Sequence, residues 1–169
     1  MTLVVVDVEA DGPVPGLYSM VCLGAVEVRE GLENTFYGET APLDGAKYDK
    51  TALGISGFSR AEHEKFDLAF DTIHHFYAWI QGVEKPVFVS DNLAFDWQWV
   101  NYYFHLFVGT NPFGWSGRRI GDIYAGYKGD MKASWKHLRK TKHTHDPVDD
   151  AMGNAEALLA MAEHVKGIL

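Results

Sequence analysis

The stretch LVVVDVEADGP, Leu3 to Pro13, decides how this chain is read. Leu3 to Val8 is apolar on both faces except at Asp7. A strand apolar on both faces is covered above and below, which places it at the centre of a sheet. Side chains two apart on a strand share a face, so Asp7 and Glu9 project together. They stand at the strand's C-terminal end, where α/β folds carry their ligand sites. Adjacent carboxylates repel unless a positive charge lies between them, and a divalent cation is the usual answer. For an isolated D-x-E, the plainer reading is two solvated acids at a strand end.

Working outward, Ser19 to Arg29 and Thr35 to Glu39 read as further strands, joined near Glu30-Gly31. Ala41 to Phe58 carries Pro42, Gly45, Gly54 and Gly57 and reads mostly as loop. Ser59 with Glu62 has capping-box spacing and starts a short helix. Asp67 is placed to cap a second helix, with Phe70, Ile73, Tyr77 and Ile80 on its apolar face and Gly82 at its end. Pro86 to Ser90 is a short buried strand, and Ala94 to Val108 is an aromatic helix stopped by Gly109 and Pro112. Arg119 to Tyr124 fits strand or helix, and Ser134 to Lys140 a short basic helix or turn. Asp146-Pro147 opens the last helix, with Ala151, Ala155, Leu158, Ala162 and Val165 facing inward and Gly167 closing it. Strands first, then strands alternating with helices, predict an α/β layer fold. No repeat or Pro/Gly linker divides the chain, so residues 1–169 are expected to form a single domain.

A hydrophobic share of 47% with 22% charged residues excludes a disordered tail protein. Cys22 is the only cysteine, which excludes a disulfide framework and a Cys-rich zinc finger. It reads as a small buried residue of a reducing compartment. No apolar run reaches the roughly 18 residues of a membrane span. The first residues lack the basic start of a signal peptide. The expectation is a cytoplasmic protein with no membrane partner.

The net charge of -8 argues against a protein that coats nucleic acid, but the distribution is uneven. Arg118 to His145 holds eight basic and two acidic residues, a net +6, which leaves -14 for the rest.

Two further sites carry chemistry. Asp96, in DNLAFDWQW (Asp91 to Trp99), falls at the start of the aromatic helix, where the dipole alone would favour an acid. If Asp146 is N-cap and Pro147 is N1, His145 is N′ and Asp150 is N4. Those positions meet in a hydrophobic staple, yet here they carry an imidazole and a carboxylate. That sets a candidate general base beside a candidate metal ligand, the alternative being two surface residues of an acidic helix start. Asp149 has a capping role available; Asp150 has none so obvious.

The order D-x-E, N-x-x-x-D, H-x-x-x-x-D resembles the DEDDh 3′–5′ exonuclease superfamily, the DnaQ-like and RNase T-like enzymes. The matching segments are DVEADGP, DNLAFDWQW and HDPVDDA (His145 to Ala151), and ALGISGF (Ala52 to Phe58) resembles a family connector. The resemblance implies a ribonuclease H-like fold, a central mixed five-stranded sheet with helices on both faces. It implies Asp7, Glu9, Asp96 and Asp150 as ligands of two divalent cations, Mg²⁺ or Mn²⁺, with His145 activating the attacking water. Because Asp7 shares a face with Glu9, it is expected to bridge both ions. Asn92 and Gly12, inside these segments, are assigned to substrate. Asp91 departs from the histidine of many relatives, and Pro13 and Pro15 stiffen a loop that in relatives packs against the terminal nucleotide.

The activity so implied is removal of 5′-mononucleotides from single-stranded DNA or RNA 3′ ends, the choice of sugar being open. The alternatives are a catalytically silent nucleic-acid-binding or scaffold subunit and a structure-specific endonuclease. Several relatives are homodimers, so a homodimer is among the expectations. Lys136, Arg139, Lys140 and Lys142, just before His145, are expected to contact phosphates inward of the scissile bond. His74, His75 and His105 lie in helices without a suggestive partner. His137 and His143 with His145 raise zinc, but irregular spacing and absence of nearby Cys argue against it. Most of the aromatic helix is expected in the core, and Trp115 in NPFGWSG is the candidate exposed aromatic.

Overall fold

The computed structural model describes residues 1–164 and 167. β1 (Thr2–Ala10), β2 (Met20–Glu27), β3 (Thr35–Glu39), β4 (Pro86–Ser90) and β5 (Gly117–Arg119) form one sheet in the order β3-β2-β1-β4-β5. β1 is antiparallel to β2, and β2 to β3; β4 runs parallel to β1, and β5 to β4. The sheet is thus mixed, with the apolar β1 in its centre.

Alternation along β1 sorts the core into two layers. Val4, Val6 and Val8 pack with α3 (Ala69–Gln81) and α4 (Leu93–Phe107), around Phe76, Trp99 and Phe104. Leu3 and Val5 pack on the other face with α5 (Ile120–Lys128) and α6 (Pro147–Ala162), against Ile120, Ala155 and Leu158. Leu158 is fully buried, and its truncation to Ala in such a setting costs about 2–5 kcal/mol. Period two carries the same alternation to Asp7 and Glu9, which therefore continue the Leu3/Val5 face toward α6.

Several local expectations need correction. The loop after β3 contains α1 (Lys50–Ile55), which Asp49 caps by accepting from the amides of Thr51 and Ala52. The Ser59–Glu62 capping box forms, but α2 (Arg60–His63) is four residues long. The N-cap of α3 is Leu68, not Asp67. Its buried face is Ala69, Thr72, Ile73, Phe76 and Ile80, while Phe70 is exposed and Tyr77 only partly buried. Arg119 to Tyr124 splits between β5 and α5, and the basic stretch holds a 3-10 turn at Lys136–Leu138. α6 ends at Ala162 with Glu163 as C-cap. Gly167 lies in a turn beyond that end, and Val165 is outside the described residues. Among the described residues, no helix is long and apolar enough to cross a membrane.

Candidate active site

The topology opens a cleft beside β1. β1 pairs with β4 only as far as Val5–Val89, so its edge beyond Val5 lacks a strand on that side. The Val8 amide in that gap donates to Asp96 Oδ1 at 3.2 Å. Asp96 is thereby set in the first turn of α4 with its carboxylate against the sheet. This is also where the strand order reverses between β1 and β4, the switch point at which such sheets bind ligands.

Asp150 arrives from the opposite layer. Asp146 caps α6 by accepting from the amides of Val148 and Asp149, and Pro147 occupies N1 as expected. Gly24, paired with Asp7 across β1 and β2, lies under this helix start. A Cβ on Gly24 would overlap the Pro147 backbone, so only glycine lets α6 lie this close to the sheet. The result is a cluster in which Asp7, Glu9 and Asp150 each offer an oxygen within 4.8 Å of the others.

Electrostatically the cluster is frustrated. Burial, then the charges of Asp96, Asp150 and Glu9, hold the Asp7 carboxyl well above its ordinary range, with Arg139 opposing. Burial raises Glu9, and His145 opposes it. Burial pushes Asp96 up to about 7. Asp96 Oδ2 is buried with no hydrogen-bond partner. An all-oxygen donor set with mutual repulsion and an orphaned carboxylate oxygen fits a hard divalent cation.

His145 joins this cluster by an unexpected route. Its imidazole Nδ1 lies 3.4 Å from Glu9 Oε1. The staple geometry is made instead by its backbone N–H, which donates to Asp150 Oδ2 at 3.1 Å. His145 holds φ at 65°, in the left-handed region, a conformation that costs a non-glycine residue about 1–3 kcal/mol. Asp150, which had no evident structural role, secures the end of the loop at Thr144 and His145. It also accepts from the Thr144 amide at 3.1 Å and Arg139 Nη2 at 3.1 Å, and its Oδ2 lies 2.6 Å from His143 Nδ1.

The basic residues divide. Arg139 is not a free phosphate ligand: its side chain is 10% exposed and paired with Asp150, which is 1% exposed. Gly153 makes room for it, since a Cβ there would overlap the guanidinium. Lys136 Nζ lies 3.5 Å from Asp91 Oδ2. Lys140 and Lys142 are exposed. Asn92 is exposed at the start of α4 with no capping bond from its side chain. Gly12 packs under the Tyr18 ring, where a Cβ would overlap it. It also lines a cavity of 280 Å³ between Glu9, Pro13, Ala52, Ile55 and Phe95.

Sequence reasoning missed α1, which supplies one wall of that cavity, and it missed the role of His143. It also missed buried Asp11, whose Oδ2 lies 3.1 Å from Arg60 and 3.6 Å from His63 and ties α2 to the end of β1. The acid in DVEADGP was the available signal. Cys22 is buried, with its thiol pushed up chiefly by burial, and so is unreactive.

A mixed sheet with helices on both faces and an acidic cleft at its switch point defines an α/β domain of the ribonuclease H-like class. No family model matches the chain. It is 35% identical over 166 residues to the 3'-5' DNA exonuclease Cap18 of Escherichia coli, covering 89% of this chain and 86% of that protein. Among solved structures it is similar to the nuclease domain of 3'hExo, a DEDDh family member bound to rAMP (TM-score 0.77, 14% identity, 96% of this chain and 92% of that one). It is also similar to E. coli exonuclease I in complex with a dA16 oligonucleotide (TM-score 0.76, 16% identity), where it covers 99% of this chain but 42% of that one. These two structures share the fold. The chain belongs to the DEDDh 3′–5′ exonuclease superfamily and is a 3′–5′ exonuclease.

Proposed function

We propose that this chain, as a single domain, removes 5′-mononucleotides from the 3′ end of single-stranded DNA by hydrolysis that depends on two divalent cations, Mg²⁺ or Mn²⁺. The observation that carries this is the convergence of Asp7, Glu9 and Asp150 oxygens within 4.8 Å of one another, beside the orphaned Asp96 carboxylate and the His145 ring. The curated relative's name favours DNA over RNA. The oligonucleotide held by exonuclease I is consistent with a single strand.

Asp7, Glu9, Asp96 and Asp150 would hold the cations. When bound, these supply Lewis-acid polarisation of the scissile phosphate, a more acidic water and charge stabilisation of the leaving oxygen. His145, at the mouth of the cleft, takes the proton of the attacking water. Glu9, 3.4 Å from its Nδ1, stabilises the imidazolium that forms. The P–O3′ bond breaks, leaving a 3′-hydroxyl on the shortened strand and a 5′-mononucleotide. Arg139 keeps Asp150 oriented. The exposed ammonium groups of Lys136, Lys140 and Lys142 hold phosphates farther along the strand. Asn92 and Gly12 border the seat of the terminal nucleotide. A silent binding subunit is disfavoured because all four carboxylates are present.

Matched DNA and RNA oligomers, labelled at the 5′ or the 3′ end, test the reading in Mg²⁺ or Mn²⁺. The 5′-labelled DNA strand shortens as a ladder, and the 3′ label is released first as mononucleotide. Efficient cutting of a covalently closed circle would contradict it in favour of the endonuclease.

A further inference from the structure

His143 takes no part in that chemistry, yet it stands at the site. Its Nδ1 lies 2.6 Å from Asp150 Oδ2, and its ring centroid is 4.4 Å from that of His145 in a T-shaped arrangement. One nitrogen of each ring and one Asp150 oxygen all lie within 4.8 Å of one another. Both imidazoles are about half exposed, at 56% and 47%, so small rotations adjust them at little cost. His137, grouped with these histidines by sequence, packs against Tyr124 instead. The third donor is Asp150, seven residues after His143, and that spacing hid the set.

We propose that His143, His145 and Asp150 form a second cation site, selective for a borderline transition-metal ion of the zinc type. Two imidazoles with one carboxylate suit such an ion, whereas Mg²⁺ and Mn²⁺ prefer the all-oxygen set of Asp7 and Glu9. The two sites share Asp150, so they compete for it. A zinc-type ion also occupies the imidazole of His145, which can then no longer accept a proton. Its binding therefore opposes hydrolysis. That consequence rests on the exonuclease proposal above; the binding itself does not.

The test uses Asp7→Asn protein, in which the oxygen cluster is weakened and the nitrogen-rich site is intact. Zn²⁺ is titrated calorimetrically into it and into the Asp7→Asn/His143→Gln double variant, and the histidine ring nitrogens are followed by NMR. His143 is half exposed, and Gln retains a donor for Asp150. The expected result is Zn²⁺ affinity at least about 10-fold weaker in the double variant, with His143 and His145 ring signals shifting together in the parent. Equal affinities, or unmoved His143 signals, would show that His143 only donates a hydrogen bond to Asp150 and would overturn the site. In a second arm, Zn²⁺ added over saturating Mg²⁺ should inhibit the wild type at concentrations at least about 10-fold lower than it inhibits His143→Gln; equal inhibition overturns the antagonism. A wild type inactive in Mg²⁺ would overturn the exonuclease proposal alone, and the calorimetric arm would still decide this one.

Discussion

Asp96 and Asp150 are set on α4 and α6 and nearly sealed from solvent, at 2% and 1% exposure, with Asp7 beside them on β1. The segment from Lys136 to His145 forms the other border of the cleft, and its only regular structure is one 3-10 turn. Most of its side chains lie in solvent. It is tied to α6 by two carboxylates. Glu156 accepts from the Lys140 and Thr141 amides and from the Thr141 hydroxyl. Asp150 accepts from the Thr144 and His145 amides and from Arg139, and lies beside His143. The rigid side thus concentrates repulsion that a cation relieves, while the loop takes its position from that same helix. Asp150 belongs to both, so its substitution should damage chemistry and loop geometry together, whereas substitution of Asp7 should damage chemistry alone.

This contrast is sharpest in Asp7→Asn and Asp150→Asn. Each should remove nearly all hydrolysis. Only Asp150→Asn should also change protease sensitivity between Lys140 and His145; equal sensitivity in both variants would break the distinction. His145→Ala should follow, with a loss of roughly 10²–10⁴ in rate and Mg²⁺ or Mn²⁺ affinity retained. Near-normal turnover at saturating metal would move proton transfer to another group.

Arg139 and its lysine neighbours separate next. Arg139→Met strips the partner from a buried carboxylate and should cost about 3 kcal/mol of stability, with hydrolysis reduced on short and long strands alike. Lys140→Ala with Lys142→Ala should leave the melting temperature unchanged and raise KM for a long oligomer. Each lost phosphate contact should lower the log K against log salt slope by about 0.7. The reverse pattern would place Arg139 on the strand and the lysines in the fold.

The carboxylate side also predicts a pH dependence. Asp7 and Asp96 have folded pKa values above their unfolded ones, with Asp96 at about 7. The metal-free folded state then binds more protons than the unfolded state. Its stability should fall as pH rises from about 4 toward 7, by on the order of 1.4 kcal/mol per pH unit for Asp96, with Asp7 acting in the same direction. Thermal melts in EDTA at pH 5 and pH 7.5 check the sign, and Mg²⁺ should flatten the trend. A metal-free protein more stable at pH 7.5 would contradict the frustrated cluster.

How much of this could be read from the residues follows the same division. LVVVDV and PVFVS announced strands because burial on both faces leaves a continuous apolar run. The start of α6 was legible because Asp146-Pro147 is a local cap. α1 was hidden because its Asp49 cap sits among Pro42, Gly45, Gly54 and Gly57, which signal a loop. β5, at three residues, is too short for any period to show. Phe70 matched a helical repeat that Phe76 in fact occupies, since the packing of α3 against the sheet, not spacing alone, chose its buried face. Net charge pointed to Arg139, but not to the fact that Asp150, eleven residues on, would claim it.

The central claim, that repelling carboxylates gathered on β1, α4 and α6 hydrolyse a strand only with divalent cations, has one direct test. A 5′-labelled single-stranded DNA is incubated with wild-type protein in excess EDTA and then in Mg²⁺ or Mn²⁺. The account predicts no cleavage in EDTA and a ladder descending from the 3′ end once the metal is restored. Turnover that persists in excess EDTA would contradict it.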